Sequence, residues 1–209
     1  IEERRPSSRF VTYSEMTAAL YEAIRDVSGI SVIVDSSKKP IRTYGLLANP
    51  RLDVRVIHIV RDGRGVVWSR LKSSSRDVEA GVRSDRQPTR PVRSTFHWVL
   101  ANLESEWVAK RAGANKTVRV AYESFVEHPD QVLRQISRVL GEDLSPLVER
   151  VTNGEAMDPG HLVGGNRVRM SGRVALRPDL EWKVKLPSTE AKTFWRLAGW
   201  LARRYGYTR

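Results

Sequence analysis

Three times in this chain a short run of β-branched residues breaks at a polar turn and gives way to a helical pattern. That recurrence constrains the fold more than any other feature. Ser31–Val34 (SVIV) leads through Asp35–Lys39 to a helix predicted over Ile41–Leu47, and Val54–Val60 (VRVIHIV) leads through Arg61-Asp62-Gly63 to a helix predicted over Arg64–Lys72. Thr117–Ala121 leads to a helix after Pro129, with Val132, Leu133, Ile136 and Val139 turned inward. Strand, turn and helix in alternation is the pattern of an α/β protein with a parallel sheet. Helices flank these units. Thr12 and Glu15 form a capping box before Tyr13, Met16, Leu20, Ile24 and Val27, which share one helical face up to Gly29. Phe96, Leu100, Leu103 and Trp107 repeat at helical spacing, as do Phe194, Leu197, Leu201 and Tyr205 between Ser188 and Gly206. Ser73–Arg93 and Asn153–Leu180 carry no clear period and read as irregular.

The 209 residues suit one compact domain spanning the whole chain. Forty per cent apolar residues and six Trp can fill a core, which excludes a disordered or fibrous chain. No run approaches the roughly 18 apolar residues of a membrane span. With no Cys there is neither a disulfide framework nor a thiol nucleophile, a composition that fits a reducing compartment and makes the cytoplasm the expected location. Lys and Arg number 36 against 24 Asp and Glu, a formal charge of +12 that calls for an anionic partner: nucleic acid, an acidic membrane face or a phosphorylated small molecule. The first residue is Ile1 rather than Met, and three strands make a thin sheet for so many helices. The expectation is therefore a chain cut from something longer, with at least one strand upstream.

Ligands of open parallel sheets bind beyond the carboxyl ends of the strands, so three segments are the candidates for chemistry. The first, Asp35-Ser36-Ser37-Lys38-Lys39, offers hydroxyls and an ammonium to an anion, or is simply a turn with Lys38 solvated. In the second, Arg61 stands where the strand runs out and Gly63 and Gly65 permit close backbone approach. The helix start there offers N–H groups, and Ser69 can face the same anion as Arg61. The bland alternative is an Arg61–Asp62 surface pair beside a glycine turn. In the third, Tyr122 can stack on a base or belong to the core. Later, Arg167, Arg169, Arg173 and Arg177 occur with no acid between Gly160 and Pro178, either a second anion grip or a solvated basic loop.

These segments resemble the sulfotransferase superfamily, in particular its carbohydrate-sulfotransferase-like and bacterial branch. The resemblance rests on VDSSKKPIRTYGLL (34–47), VRVIHIVRDGRGVVWS (54–69), HWVLAN (97–102), VRVAYESFVEHP (118–129), GNRVRM (165–170) and RRYGY (203–207), in family order. It implies a three-layer, P-loop-like α/β fold with a parallel central sheet. It also implies sulfuryl transfer from 3′-phosphoadenosine 5′-phosphosulfate to a hydroxyl or amine of a carbohydrate or small-molecule acceptor. By resemblance, Arg61 and Ser69 bind the donor's 3′-phosphate, Tyr122 lies near the adenine, Arg169 closes over the nucleotide with Gly172 as a further candidate, and Lys38 sits near the transferred group. The Gly-, Ser- and Thr-rich loop that wraps the 5′-phosphosulfate in this family does not occur in the 209 residues, so it and the first strand are expected upstream of Ile1.

Sulfuryl transfer needs in-line placement and neutralised charge, which Lys and Arg can supply, so no metal is expected. Lys38 is the candidate for stabilising the group in flight. Asp35 is the local candidate for the base, with a turn cap as its alternative role. His58 lies inside an apolar strand and reads as a core residue, while His97 and His161 have no recognisable partner. Ser73–Arg93, with five Arg, is an acceptor-facing lid or a variable surface loop. The competing functions are a kinase-like nucleotide binder, a non-catalytic relative that keeps the fold, and a nucleic-acid module. The last is disfavoured because the basic residues gather after strands and not along one helix.

Overall fold

The computed structural model describes residues 7–36, 39–79, 90–158 and 172–209, with backbone alone for 73–79. Nine α-helices and two strands are found among them: α1 (Ser8–Ser28), α2 (Pro40–Leu47), β1 (Val56–Val60), α3 (Gly63–Glu79), α4 (Pro91–Ala112), β2 (Thr117–Ala121), α5 (Tyr122–Glu127), α6 (Pro129–Leu140), α7 (Ser145–Thr152), α8 (Glu181–Lys185) and α9 (Ser188–Arg204). The strands β1 and β2 pair in parallel, giving a mixed α/β fold. No described helix is long and apolar enough to cross a membrane. The chain divides into two compact units, Ile1–Val56 with Ala101–Thr117, and Ile57–Leu100 with Val118–Arg209.

In the first unit α1 begins four residues before the expected capping box, because the Ser7 hydroxyl accepts from the Phe10 N–H and caps the helix there. It stops, as expected, at Gly29. Its buried face is the surprise. Ser14, Thr17 and Ala18 are inside, whereas Met16, Leu20, Ile24 and Val27 of the apolar stripe are exposed. The small side chains let α1 lie against α2, where the buried Asn49 amide donates to the Ser14 carbonyl (3.2 Å) and hydroxyl (3.0 Å). Ser31–Val34, expected as a strand, forms none, and both of its valines are exposed. A β-branched run becomes a strand only with a ladder partner and packed faces, and this one has neither among the described residues.

The second unit holds the sheet. Val120 on β2 packs with Val132 and Ile136 of α6, and Ile57 of β1 joins them, so the predicted inward stripe of α6 is the face that covers the sheet. On the other side Val60, Val67, Trp98, Phe194, Ala198 and Leu201 are buried. Phe194 meets Trp98 edge-on at 5.3 Å and Trp195 at 6.1 Å. His58 is buried and stands edge-on to Tyr205 at 6.3 Å, the packing expected of a core histidine. Helix α3 runs seven residues past Lys72 into the stretch that composition had marked as irregular. In the part of α4 that belongs to this unit the expected stripe is again outward, with Phe96 and Leu100 exposed and Ser94, Thr95 and Trp98 buried; in the part that belongs to the first unit Trp107 is exposed and Asn102 and Val108 are buried.

Candidate functional site

The second unit builds a site where β1 and β2 end side by side. Two aromatic side chains stand against the end of β1. The Trp98 indole N–H donates to the Arg61 carbonyl (3.0 Å), and the Tyr207 hydroxyl lies 3.2 Å from the Val60 carbonyl. Arg61 then leaves the strand directly beside Tyr122, the first residue after β2, with its guanidinium carbon 4.7 Å from the ring centre. Such a cation–ring contact is worth about 0.5–2 kcal/mol and helps to hold the guanidinium at the strand end. The two residues singled out at separate strand ends are thus one feature of the structure.

The Arg61 donors are unevenly used. Nη2 donates to Asp179, to both its carbonyl (3.2 Å) and its carboxylate (3.0 Å). Nε is buried and has no hydrogen-bond partner among the described residues. A Cβ placed on Gly65 would come within 3.1 Å of that Nε and within 3.0 Å of the Trp182 ring, so the α3 backbone and the indole enclose it. Close approach at this glycine is made by the chain's own side chains. The same holds at Gly63, where a Cβ would stand 2.1 Å from Phe194.

One expectation for this turn changes. The first turn of α3 is already capped from within, because the buried Asp62 carboxylate accepts from the Arg64 N–H (2.8 Å), a normal task for Asp at a helix start. Asp62 also pairs with the Arg64 guanidinium (2.7 Å), which lies over Trp182 at 4.6 Å and Trp195 at 5.1 Å and reaches the Thr208 carbonyl (2.8 Å). Glu123 completes the assembly. It accepts from the Asp62 N–H (3.0 Å) and from the Tyr207 hydroxyl (2.7 Å). Burial, then the Glu123 carboxylate, pushes the Tyr207 phenol well above its ordinary range. The Arg61–Asp62 pair imagined from sequence does not form. Asp62 takes Arg64, and Arg61 takes Asp179.

Ser69 is half-buried one turn beyond Gly65, on the α3 face formed by positions 65, 68, 69 and 72. Helix α8 docks on that face. Glu181 accepts from the Trp68 indole (3.1 Å), pairs with Lys72 and bonds Lys185 (2.9 Å), and these donors, Lys72 first, lower its carboxyl to about 2.

The first unit carries Asp35. Its carboxylate accepts from the Tyr21 hydroxyl and from Arg42 Nε (3.0 Å), while Arg42 Nη2 reaches the Tyr21 oxygen (3.1 Å) and Nη1 the Tyr13 hydroxyl. Burial, then the Asp35 bond, raises the Tyr21 phenol. Lys38 and Arg169 lie outside the described residues, as does His161; His97 is exposed. Gly172 has a left-handed φ of 68° and open space where a Cβ would stand, so its backbone angle and not a close neighbour asks for glycine there. Among the described residues no three His, Asp or Glu side chains are gathered so as to hold a metal.

Asp179, Trp182, Glu123 and Tyr207 escaped the sequence reading as site residues. The last two lie within the quoted VRVAYESFVEHP and RRYGY segments. Asp179 had a signal of its own, being the first acid after the acid-free stretch that ends at Pro178.

Comparison with known proteins gives the family and the fold. Residues 2–146 match the profile of the Sulfotransferase family. The chain belongs to that family. Carbohydrate sulfotransferase 5 of Mus musculus is 25% identical over 184 residues, which cover 78% of this chain and 44% of that protein. The chain thus spans less than half the length of this curated relative. The solved structure of a sulfotransferase domain from the curacin biosynthetic pathway matches with a TM-score of 0.59 and 19% identity, covering 88% of this chain and 67% of that one, and establishes the shared fold.

Proposed function

We propose that this chain carries the 3′-phosphate side of the donor site of a sulfotransferase. The enzyme moves a sulfuryl group from 3′-phosphoadenosine 5′-phosphosulfate to a hydroxyl or amine of a carbohydrate or small-molecule acceptor. The observation that carries this reading is Arg61, a guanidinium lying over the Tyr122 ring at the end of a parallel strand with a buried Nε that no described acceptor satisfies. A buried donor left unpaired costs about 1–3 kcal/mol, and an anion brought to the fork would supply the missing acceptor. Tyr122 presents an aromatic face beside it, suited to a purine, and Ser69 adds a hydroxyl on the same side of α3. The donor, when bound, supplies the activated sulfuryl group. The chain's part is to grip the nucleotide and to bring positive charge to the oxygens, the role we assign to Lys38.

Asp35 takes a different part in this reading. Its carboxylate oxygen already accepts from Arg42 and Tyr21, which suits a structural anchor within the first unit better than a proton acceptor. The family match and the carbohydrate sulfotransferase relative support the reaction class and make a sugar hydroxyl the first acceptor to try.

Calorimetry with adenosine 3′,5′-bisphosphate tests the reading. Saturable binding is expected in the parent, with a loss of about tenfold or more in Arg61→Ala and a smaller loss in Ser69→Ala, the scale of a charge-assisted contact against a neutral one. Equal affinity in the parent and Arg61→Ala would remove Arg61 from the nucleotide site.

A further inference from the structure

The geometry points to Asp179 as a built-in anion that occupies the Arg61 fork in the nucleotide-free protein and has to leave it when a phosphate arrives. The inference rests on the proposed role of Arg61 in binding the donor nucleotide. Asp179 brings a backbone carbonyl and a carboxylate to one nitrogen, Nη2, the arrangement an anionic ligand would otherwise make with it. It stands 118 residues away in sequence, just ahead of α8, so its presence at the fork depends on how the 172–186 segment lies and not on β1.

The environment of the pair suits exchange. The Arg61 side chain is 22% exposed and Asp179 38%, so water can take over the carboxylate when it is released. Exposed and half-exposed pairs of this kind are weak, contributing on the order of 0–1 kcal/mol. A nucleotide phosphate with more negative charge and more acceptor oxygens displaces such a partner readily. The segment bearing Asp179 also carries Trp182, whose ring is one wall over the buried Nε. Trp182 itself stays in place, buried beneath the Arg64 guanidinium, so the movement is confined to Asp179 and frees Nη2. The fork then offers Nη2 to the phosphate, where before Asp179 held it. Glu181, held by Lys72, Trp68 and Lys185 on α3, sets how far that movement can go.

On this view Asp179 sets the affinity of the site by competition. It prevents weak monoanions from filling the fork and leaves it to a ligand able to outcompete a carboxylate. A residue that merely oriented Arg61 would act in the opposite direction, since its loss would weaken binding.

The test is calorimetry on the full chain and on Asp179→Asn, with adenosine 3′,5′-bisphosphate and with adenosine 5′-monophosphate, and with Arg61→Ala alongside. Asp179→Asn keeps the shape and removes the charge. The bisphosphate is expected to bind roughly 2- to 5-fold tighter to it than to the parent, from a competitor near the upper end of the strength given above, while the ligand lacking a 3′-phosphate gains nothing. Unchanged or weaker bisphosphate binding in Asp179→Asn, with binding still lost in Arg61→Ala, overturns the competitor role and leaves the nucleotide site standing. An equal gain for both ligands overturns it too, by showing a general charge effect. Binding that is indifferent to Arg61→Ala, or absent from both the parent and Asp179→Asn, defeats the site assignment and the inference together.

Discussion

Gly63 offers the sharpest quantitative check on how the site is built. A methyl group added at this position would stand 2.1 Å from Phe194 Cε2, 2.3 Å from Cζ and 3.0 Å from Trp98 Cδ2. Carbon atoms prefer about 3.5–4.0 Å, so the phenyl edge must retreat by roughly 1.5 Å. It has nowhere to go. Phe194 is 1% exposed and boxed edge-on by Trp98 and Trp195. Overpacking of this kind costs about 1–3 kcal/mol, and the rigid surroundings favour the upper part of that range. Ala is otherwise the better helix former by up to about 1 kcal/mol, so a site without the clash would be stabilised by Gly63→Ala. The sign of the effect thus decides the matter. Urea unfolding followed by tryptophan fluorescence should show a loss of about 1–3 kcal/mol, or a fall in Tm of about 2–12 °C for a chain of this size. Phe194→Ala alone should cost about 3–5 kcal/mol, and adding Gly63→Ala to it should cost much less than in the parent, because the ring that blocked the methyl is gone and only the 3.0 Å approach to Trp98 remains. A neutral or stabilising Gly63→Ala, or an equal cost in both backgrounds, would show that Phe194 does not lie against the start of α3.

Two further outcomes concern pH. The Glu181 carboxyl is depressed to about 2 by Lys72, Lys185 and Trp68, so its contribution to stability is complete above the ordinary glutamate range near 4.5 and disappears as pH falls toward 2; acid titration of Glu181→Gln should lack this component of the loss. Tyr207 is shifted the other way, by burial and Glu123, so its contribution is complete below pH 10 and its phenolate absorbance should stay absent above that pH until the fold opens, whereas Tyr207→Phe removes the Glu123 bond and lowers stability at neutral pH.

What could be read from the chain beforehand divides along a physical line. Arg61 and Tyr122 were placed at strand ends by the break in β-branched residues, and parallel pairing of those strands brings the two ends together without further information. The α6 stripe was legible for a similar reason, since a short amphipathic helix next to a sheet has only one face to bury. Periodicity failed on α1 and α4. It reports that a helix has an apolar face, whereas the face that is buried depends on the neighbour. On α1 that neighbour is α2 and the linkage through Asn49, which favour Ser14, Thr17 and Ala18 over Met16 and Leu20. Ser31–Val34 failed because strand formation is a property of a pair. Asp179 could not be assigned to Arg61 from spacing, because no local rule connects residues 118 positions apart.

The contrast between Arg61 and Arg64 shows why charge counting alone could not locate the site. The two lie three residues apart at the same turn, and each is paired with a carboxylate at hydrogen-bonding distance. Arg64 and Asp62 are 15% and 5% exposed, with the Arg64 guanidinium over two indoles, and breaking a pair so enclosed costs about 3–5 kcal/mol because a buried charge is left behind. That arginine belongs to the architecture: it fixes the α3 start and the chain end through Asp62 and Thr208. Arg61 and Asp179 are more open, and their pair can dissolve at a fraction of that cost. The excess of +12 therefore matters less than which cations can change partners. At this turn burial makes one guanidinium structural and leaves its neighbour the one able to exchange its carboxylate for a phosphate.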